Sequence, residues 1–202
     1  MNNTTGAYIR KLVITGALGS LAIFLGITRL GFFPWISGAT ITILHIPAIL
    51  GAVLEGPFVG AGIGAIFGVF SLLQANIAPV TPIDVAFRNP LVSVLPRVLF
   101  PLVAWGAYAL IARWRKLPAA AFGAIVGTIA HTALVLGMLI ATAGSGALTG
   151  GEPPANVWPI LGVIFVANGI PEAIAAAVLT VLVVVALRGA GSVGRKSKLS
   201  KE

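Results

Sequence analysis

Five polar residues stand inside otherwise apolar stretches of this chain: His45, Arg97, His131, Asn168 and Glu172. Ionisable and amide side chains are costly within a bilayer, so each marks a candidate site for a solute, an ion or a proton. Asn168 and Glu172 are four positions apart, hence on one face of a helix, and Pro171 loosens the backbone between them. Arg97 follows Pro96 and lies seven residues past Pro90, about 10 Å along a helix at 1.5 Å per residue. His131 has Thr128 and Thr132 on its own helix, and His45 precedes Pro47. Two readings follow from these residues. They line a cavity for a polar solute, or Arg97 pairs structurally with Glu172 while the histidines bond backbone carbonyls.

Aromatic and polar residues outside the apolar runs extend the first reading. Phe32, Phe33 and Trp35 cluster among glycine and proline, and Trp158 borders the last long connection. Such rings belong to an interfacial belt, or they cover a ligand in a mostly apolar pocket with a few placed polar groups. Asn76, Asp84, Arg88 and Asn89 stand on a proline-punctuated connection and supply a charged rim. Lids of this kind with charged rims suit an amphipathic ligand of vitamin size. Other chemistries have no carrier. The chain shows no P-loop, no Gly-x-Ser-x-Gly elbow and no His-Glu-x-x-His, and its two histidines are 86 positions apart. Neither a metal nor a cofactor is expected.

The elements that must position these groups are membrane helices. Of 202 residues, 58% are hydrophobic and 9% charged, against about 25% charged in soluble domains. Thirteen basic and five acidic side chains cannot solvate a globule of this size, and the lack of cysteine excludes a disulfide scaffold. A bilayer core of about 30 Å needs about 20 apolar residues per helix. The apolar runs are Lys11 to Leu30, Ala39 to Leu54, Phe58 to about Ala75, Leu91 to Ala112, Pro118 to near Ala143, and about Pro159 to Leu187. The last exceeds what a bilayer requires and is expected to tilt, or to bend at Pro171. The expected fold is therefore all-α: a polytopic membrane protein with six transmembrane helices.

Charge placement orients it. Ten of the thirteen basic residues fall in three clusters: Arg10 and Lys11; Arg113, Arg115 and Lys116; and Arg188, Arg195, Lys196, Lys198 and Lys201. Six spans put all three on one side, which the positive-inside bias makes cytoplasmic, with both termini. The chain divides into a single transmembrane domain, 1–188, and a basic cytoplasmic tail, 189–202. That tail faces anionic lipid rather than nucleic acid. The first run is too long for the core of a cleaved signal and is expected to stay as a helix.

Small residues suggest where helices approach closely. Gly56, Gly60, Gly64 and Gly68 recur every fourth position on the third run, with weaker pairs Gly16/Ser20 and Ala22/Gly26 on the first. Such faces pack a chain's own helices or receive a partner's. The candidate docking set is Gly16, Ser20, Ala22, Gly26, Gly60, Gly64 and Gly68.

Three stretches carry a resemblance: Ala39-Thr-Ile-Thr-Ile-Leu-His-Ile-Pro47 leading into Glu55-Gly-Pro57; Ala78-Pro-Val-Thr-Pro-Ile-Asp84 with Asn89-Pro-Leu-Val-Ser-Val-Leu-Pro-Arg97; and Asn168-Gly-Ile-Pro-Glu-Ala173. In this order they resemble the substrate-binding S-components of energy-coupling factor (ECF) vitamin transporters, nearest the pantothenate and cobalamin branch, with pantothenate closer. The resemblance implies a six-helix protein that binds one water-soluble vitamin and has no ATPase of its own. It implies as partners a transmembrane coupling subunit and two ATPase subunits, toward which the S-component topples in the membrane. It maps lids onto Phe32 to Trp35, Asn76 to Asn89 and Gly144 to Trp158, and pocket residues onto His45, Asn89, Arg97, Asn168 and Glu172. Together with the rim and the mid-span histidine, the candidate binding set is Phe33, Trp35, His45, Asn76, Arg88, Asn89, Arg97, His131, Trp158, Asn168 and Glu172. One departure is that the first helix lacks the family's Ala-x-x-x-Ala pair. The rival reading is a stand-alone proton-coupled carrier with Glu172 and His131 as relays; an intramembrane enzyme using His45 or Glu172 stands third.

Overall fold

The computed structural model describes residues 3–34, 40–79, 82–144, 146 and 152–199. It is an all-α assembly in which, among the described residues, five stretches are long and apolar enough to cross a membrane: Thr5–Ile27, Pro57–Ile77, Pro90–Ala112, Lys116–Ala143 and Trp158–Leu187. Its elements are α1 (Asn3–Ile27), β1 (Phe32–Pro34), β2 (Thr40–Thr42), α2 (Ile46–Glu55), α3 (Pro57–Ile77), α4 (Pro82–Ala86), α5 (Pro90–Ser93), α6 (Leu95–Ala112), α7 (Lys116–Ala143), α8 (Trp158–Ile164), a π-helical turn (Phe165–Gly169) and α9 (Ile170–Leu199).

The second apolar run is not one continuous helix. Its first part, Thr40–Thr42, pairs antiparallel with Phe32–Pro34, Phe33 facing Ile41. β-Branched Thr-Ile-Thr favours a strand, because two heavy atoms on Cβ crowd the preceding helical turn. Helix starts only at Ile46, where Pro47 supplies a pre-set φ at the first turn. α2 has ten residues, about 15 Å at 1.5 Å per residue, or half the bilayer core. Every residue from Ile46 to Val53 is buried, as a helix apolar on all sides must be. Around it close Ile63 of α3, Phe100 and Ala104 of α6, Ala124 of α7 and Ala176 of α9. Gly56, at φ 103°, makes the reversal into α3, a backbone state that a Cβ would oppose.

Prolines and one left-handed arginine set the remaining breaks. Asn89 caps α5 by accepting the Leu91 N–H at 3.0 Å, with Pro90 at the first helical position. In the last span, where a tilt or a bend at Pro171 is expected, a π turn stands just before that proline. The Ile170 N–H reaches back to the Phe165 carbonyl, since Pro171 has no N–H for the α-helical ladder at that level. The α9 backbone then continues to Leu199, so most of the basic tail extends this helix. At the end of α1, Arg29 sits at φ 60° while the Gly31 N–H bonds the Leu25 carbonyl at 3.0 Å. That is a helix stop at which glycine is the unstrained residue. Arg29→Gly should therefore raise stability by about 1 kcal/mol, read as a melting midpoint a few degrees higher in detergent.

Candidate functional site

The site begins with a carbonyl that proline leaves without its helical partner. Pro96 cannot donate an N–H to Val92, and the helix breaks at Val94 between α5 and α6. Arg97, one residue on, donates from Nη1 to the Val92 carbonyl at 2.6 Å. Its side chain is buried, with the guanidinium 4.8 Å from the Phe87 ring centroid and 5.5 Å from that of Phe67. Arg97 Nε has no partner. A buried charge held by one carbonyl and two ring faces, with no carboxylate in ion-pair reach among the described residues, is electrostatically incomplete.

The two histidines meet across α2 and α7. Their rings stack at 5.2 Å and 9°, and Phe100 stands edge-on to both, at 4.8 Å from His131 and 6.3 Å from His45. His45 Nε2 is 3.0 Å from Thr128 Oγ1, whose own hydrogen goes to the Ala124 carbonyl at 2.9 Å. With that hydrogen engaged, His45 Nε2–H is the donor. His45 Nδ1 and His131 Nε2 are buried without partners. Phe67 joins this pair to the arginine: its ring lies 6.2 Å from His131 and also faces Arg97.

Glu172 belongs to a different part of the site. Its Oε1 accepts the Thr42 N–H at 2.7 Å and the Thr42 hydroxyl at 3.1 Å, fastening β2 to α9. Glu172 and Arg97 form no ion pair; Glu55 is the carboxylate that pairs with Arg10. The structural pairing considered from sequence is therefore corrected: two prolines and a strand direct these groups to backbone partners instead. Asn168 lies one turn before Glu172, in the π segment, with its Oδ1 buried and unpartnered. His45 follows Thr42 by three residues, so the hairpin end leads from one polar group to the other.

The rim residues remain at the surface. Phe33 and Trp158 are exposed, the latter at 75%, too open to cover a ligand in this state. Asn76 is exposed and donates to Leu72 of its own helix at 2.8 Å; Arg88 is exposed and donates from Nε to the Ala75 carbonyl at 3.1 Å. Asn89 is engaged as the α5 cap. Trp35 lies outside the described residues. Sequence reading missed Thr42, Phe67, Phe87 and Phe100. Phe67 had a signal, since it falls between Gly64 and Gly68 on the third run.

The small-residue faces separate cleanly. A Cβ on Gly64 would overlap the Arg97 carbonyl, one on Gly68 would come within 2.8 Å of Val94 Cα, and one on Gly60 within 2.5 Å of Ala52. The α3 glycines are thus packed against the chain's own α2 and the start of α6, the first of the two readings of this face. Ala22 and Gly26 also face inward, Gly26 against Phe70 and Leu44. Gly16 and Ser20 stay exposed on α1.

Residues 10–184 match the family model of the ECF transporter, substrate-specific component. The chain belongs to that family. A pantothenic acid transporter, PanT, of Lactococcus lactis subsp. cremoris is 29% identical over 160 residues, covering 72% of this chain and 76% of the relative. A pantothenate transporter, PanT, of Leuconostoc mesenteroides subsp. mesenteroides is 30% identical over 111 residues, 54% of this chain and 53% of its own length. The family is a transporter component rather than an enzyme family, and the chain is a multi-pass protein of a prokaryotic cell membrane.

Proposed function

We propose that this substrate-specific component binds pantothenate and hands it to an ATP-driven ECF module of one transmembrane coupling subunit and two ATPase subunits. The observation that carries the ligand class is Arg97, a buried guanidinium with no carboxylate partner among the described residues, whose Nε is unpartnered. A carboxylate ligand completes it with charge-assisted bonds. His45, His131 and Asn168 then meet the hydroxyl and amide groups, since each holds a buried polar atom without a partner. Glu172 and Thr42 hold the hairpin over this space. Phe33, Asn76, Arg88, Asn89 and Trp158 form its rim. The names of the two relatives support pantothenate over cobalamin.

In the membrane this reading takes six spans as one domain, 1–188, with both termini and the tail 189–202 in the cytoplasm. The second crossing is made by β2, the His45 turn and the short α2 together. Of the small-residue faces, Gly16 and Ser20 on α1 are the pair left open for the coupling subunit.

The test is titration of the purified protein, without any ATPase, against a vitamin panel by calorimetry and tryptophan fluorescence. Saturable one-to-one binding of pantothenate alone is the expected result. No binding by folded protein would overturn it. Uptake that persists without the module and collapses with the proton gradient would install the carrier reading in its place.

A further inference from the structure

We propose a specific anionic phospholipid site at the α6–α7 corner, with one acyl chain running along α7 into an apolar groove against α9. Arg113, Trp114, Arg115 and Lys116 are all exposed where α6 ends and α7 begins. Among the described residues no carboxylate lies within ion-pair reach of these three cations. Trp114 is 68% exposed, and the Arg113 guanidinium lies 4.1 Å from its ring centroid. An indole at the headgroup level with three cations beside it complements a lipid phosphate.

The groove gives the site its second half. It has a volume of about 210 Å³ and lies between α7, at Ile125 and Ile129, and the π segment with the start of α9, at Phe165, Gly169, Ile170 and Ile174. Its cause is local: a Cβ on Gly169 would find only the Phe165 ring, at 3.7 Å, and the π turn widens the helix on this side. Nine residues separate Lys116 from Ile125 and thirteen separate it from Ile129, about 14 and 20 Å along α7. The groove therefore lies roughly one leaflet's depth, about 15 Å, from the cations. Exposed Phe122 of α7 and Leu182 of α9 continue the apolar path between them. A headgroup at the corner places its own chain end in the slot.

Native mass spectrometry of the full chain in detergent, with equimolar sixteen-carbon phosphatidylglycerol and phosphatidylcholine, tests this. The wild type should retain one phosphatidylglycerol with a preference of about tenfold, given the attraction of each cation near an anionic headgroup. R113Q/R115Q/K116Q should bring the preference close to unity, while the charge-matched tail variant R195Q/K196Q/K198Q keeps it. Ile129→Trp, which fills the groove and leaves the corner intact, should reduce retention of the lipid several-fold. Preference that survives the corner variant, or falls equally in the tail variant, would overturn the site. Retention untouched by Ile129→Trp would overturn the acyl-chain half of it.

Discussion

Arg97→Ala should lower pantothenate affinity by about a hundredfold or more, because truncating one partner of a buried charge pair costs several kcal/mol. Arg97 is linked to the histidine pair through the Phe67 ring and is buried, with Nε unpartnered. The substitution also leaves the Val92 carbonyl without the donor that replaces the missing Pro96 N–H, so some loss of stability is expected as well. Arg97→Lys separates the two effects. Lysine keeps a charge and a donor for Val92 but lacks the planar fork that meets a carboxylate bidentately. Its fold should hold while its affinity stays well below wild type. Calorimetry against pantothenate and against its neutral alcohol analogue gives the second readout: the wild type should prefer the carboxylate, and both variants should lose that preference. Unchanged affinity with lowered expression would make Arg97 a structural residue only.

Gly64→Ala is expected to destabilise the protein by about 2–3 kcal/mol, the upper part of the range for overpacking. The added methyl meets the carbonyl of Arg97 itself, and a backbone atom cannot rotate away as a side chain can. Pro101 stands four residues beyond Arg97 inside α6 and brings no N–H to that carbonyl. The carbonyl is thus turned to α3 rather than tied into its own ladder, and glycine lets α3 approach it. Relief requires α6 to move away, which shifts Arg97, so pantothenate affinity should fall along with the melting midpoint. Gly16→Ala is the comparison: nothing lies within 4 Å of a Cβ there, and its melting midpoint should be no lower than wild type, since alanine is the better helix former. Equal midpoints for Gly64→Ala and wild type would mean that α3 and α6 are not held as close as described.

Much of this could be read along the chain. Long apolar runs ended by Arg113, Pro118 and Pro90 mark helices by length and composition alone. The membrane class follows from the scarcity of charge, and the candidate polar groups were singled out by asking which polar side chains a bilayer would penalise. What escaped depends on contacts between distant segments. Ala39 to Leu54 reads as one apolar run, but β1 lies close enough to pair with Thr40–Thr42, and its hydrogen bonds decide for strand there.

Glu172 and Arg97 illustrate the same division. Opposite charges within apolar helices invite a pairing, yet Thr42, 130 positions away in sequence, takes the carboxylate, and the proline-freed Val92 carbonyl takes one guanidinium nitrogen. The glycine repeat on α3 announces close approach, and only packing identifies α2 and α6 as what approaches. Composition and hydropathy determined that this chain crosses a membrane, and residue type determined where helices stop, because solvation and backbone sterics act locally. Tertiary structure decided which carbonyl holds Arg97, which strand holds Glu172 and that the two histidines stack. Those choices turn on distances and directions between segments that sequence spacing does not encode.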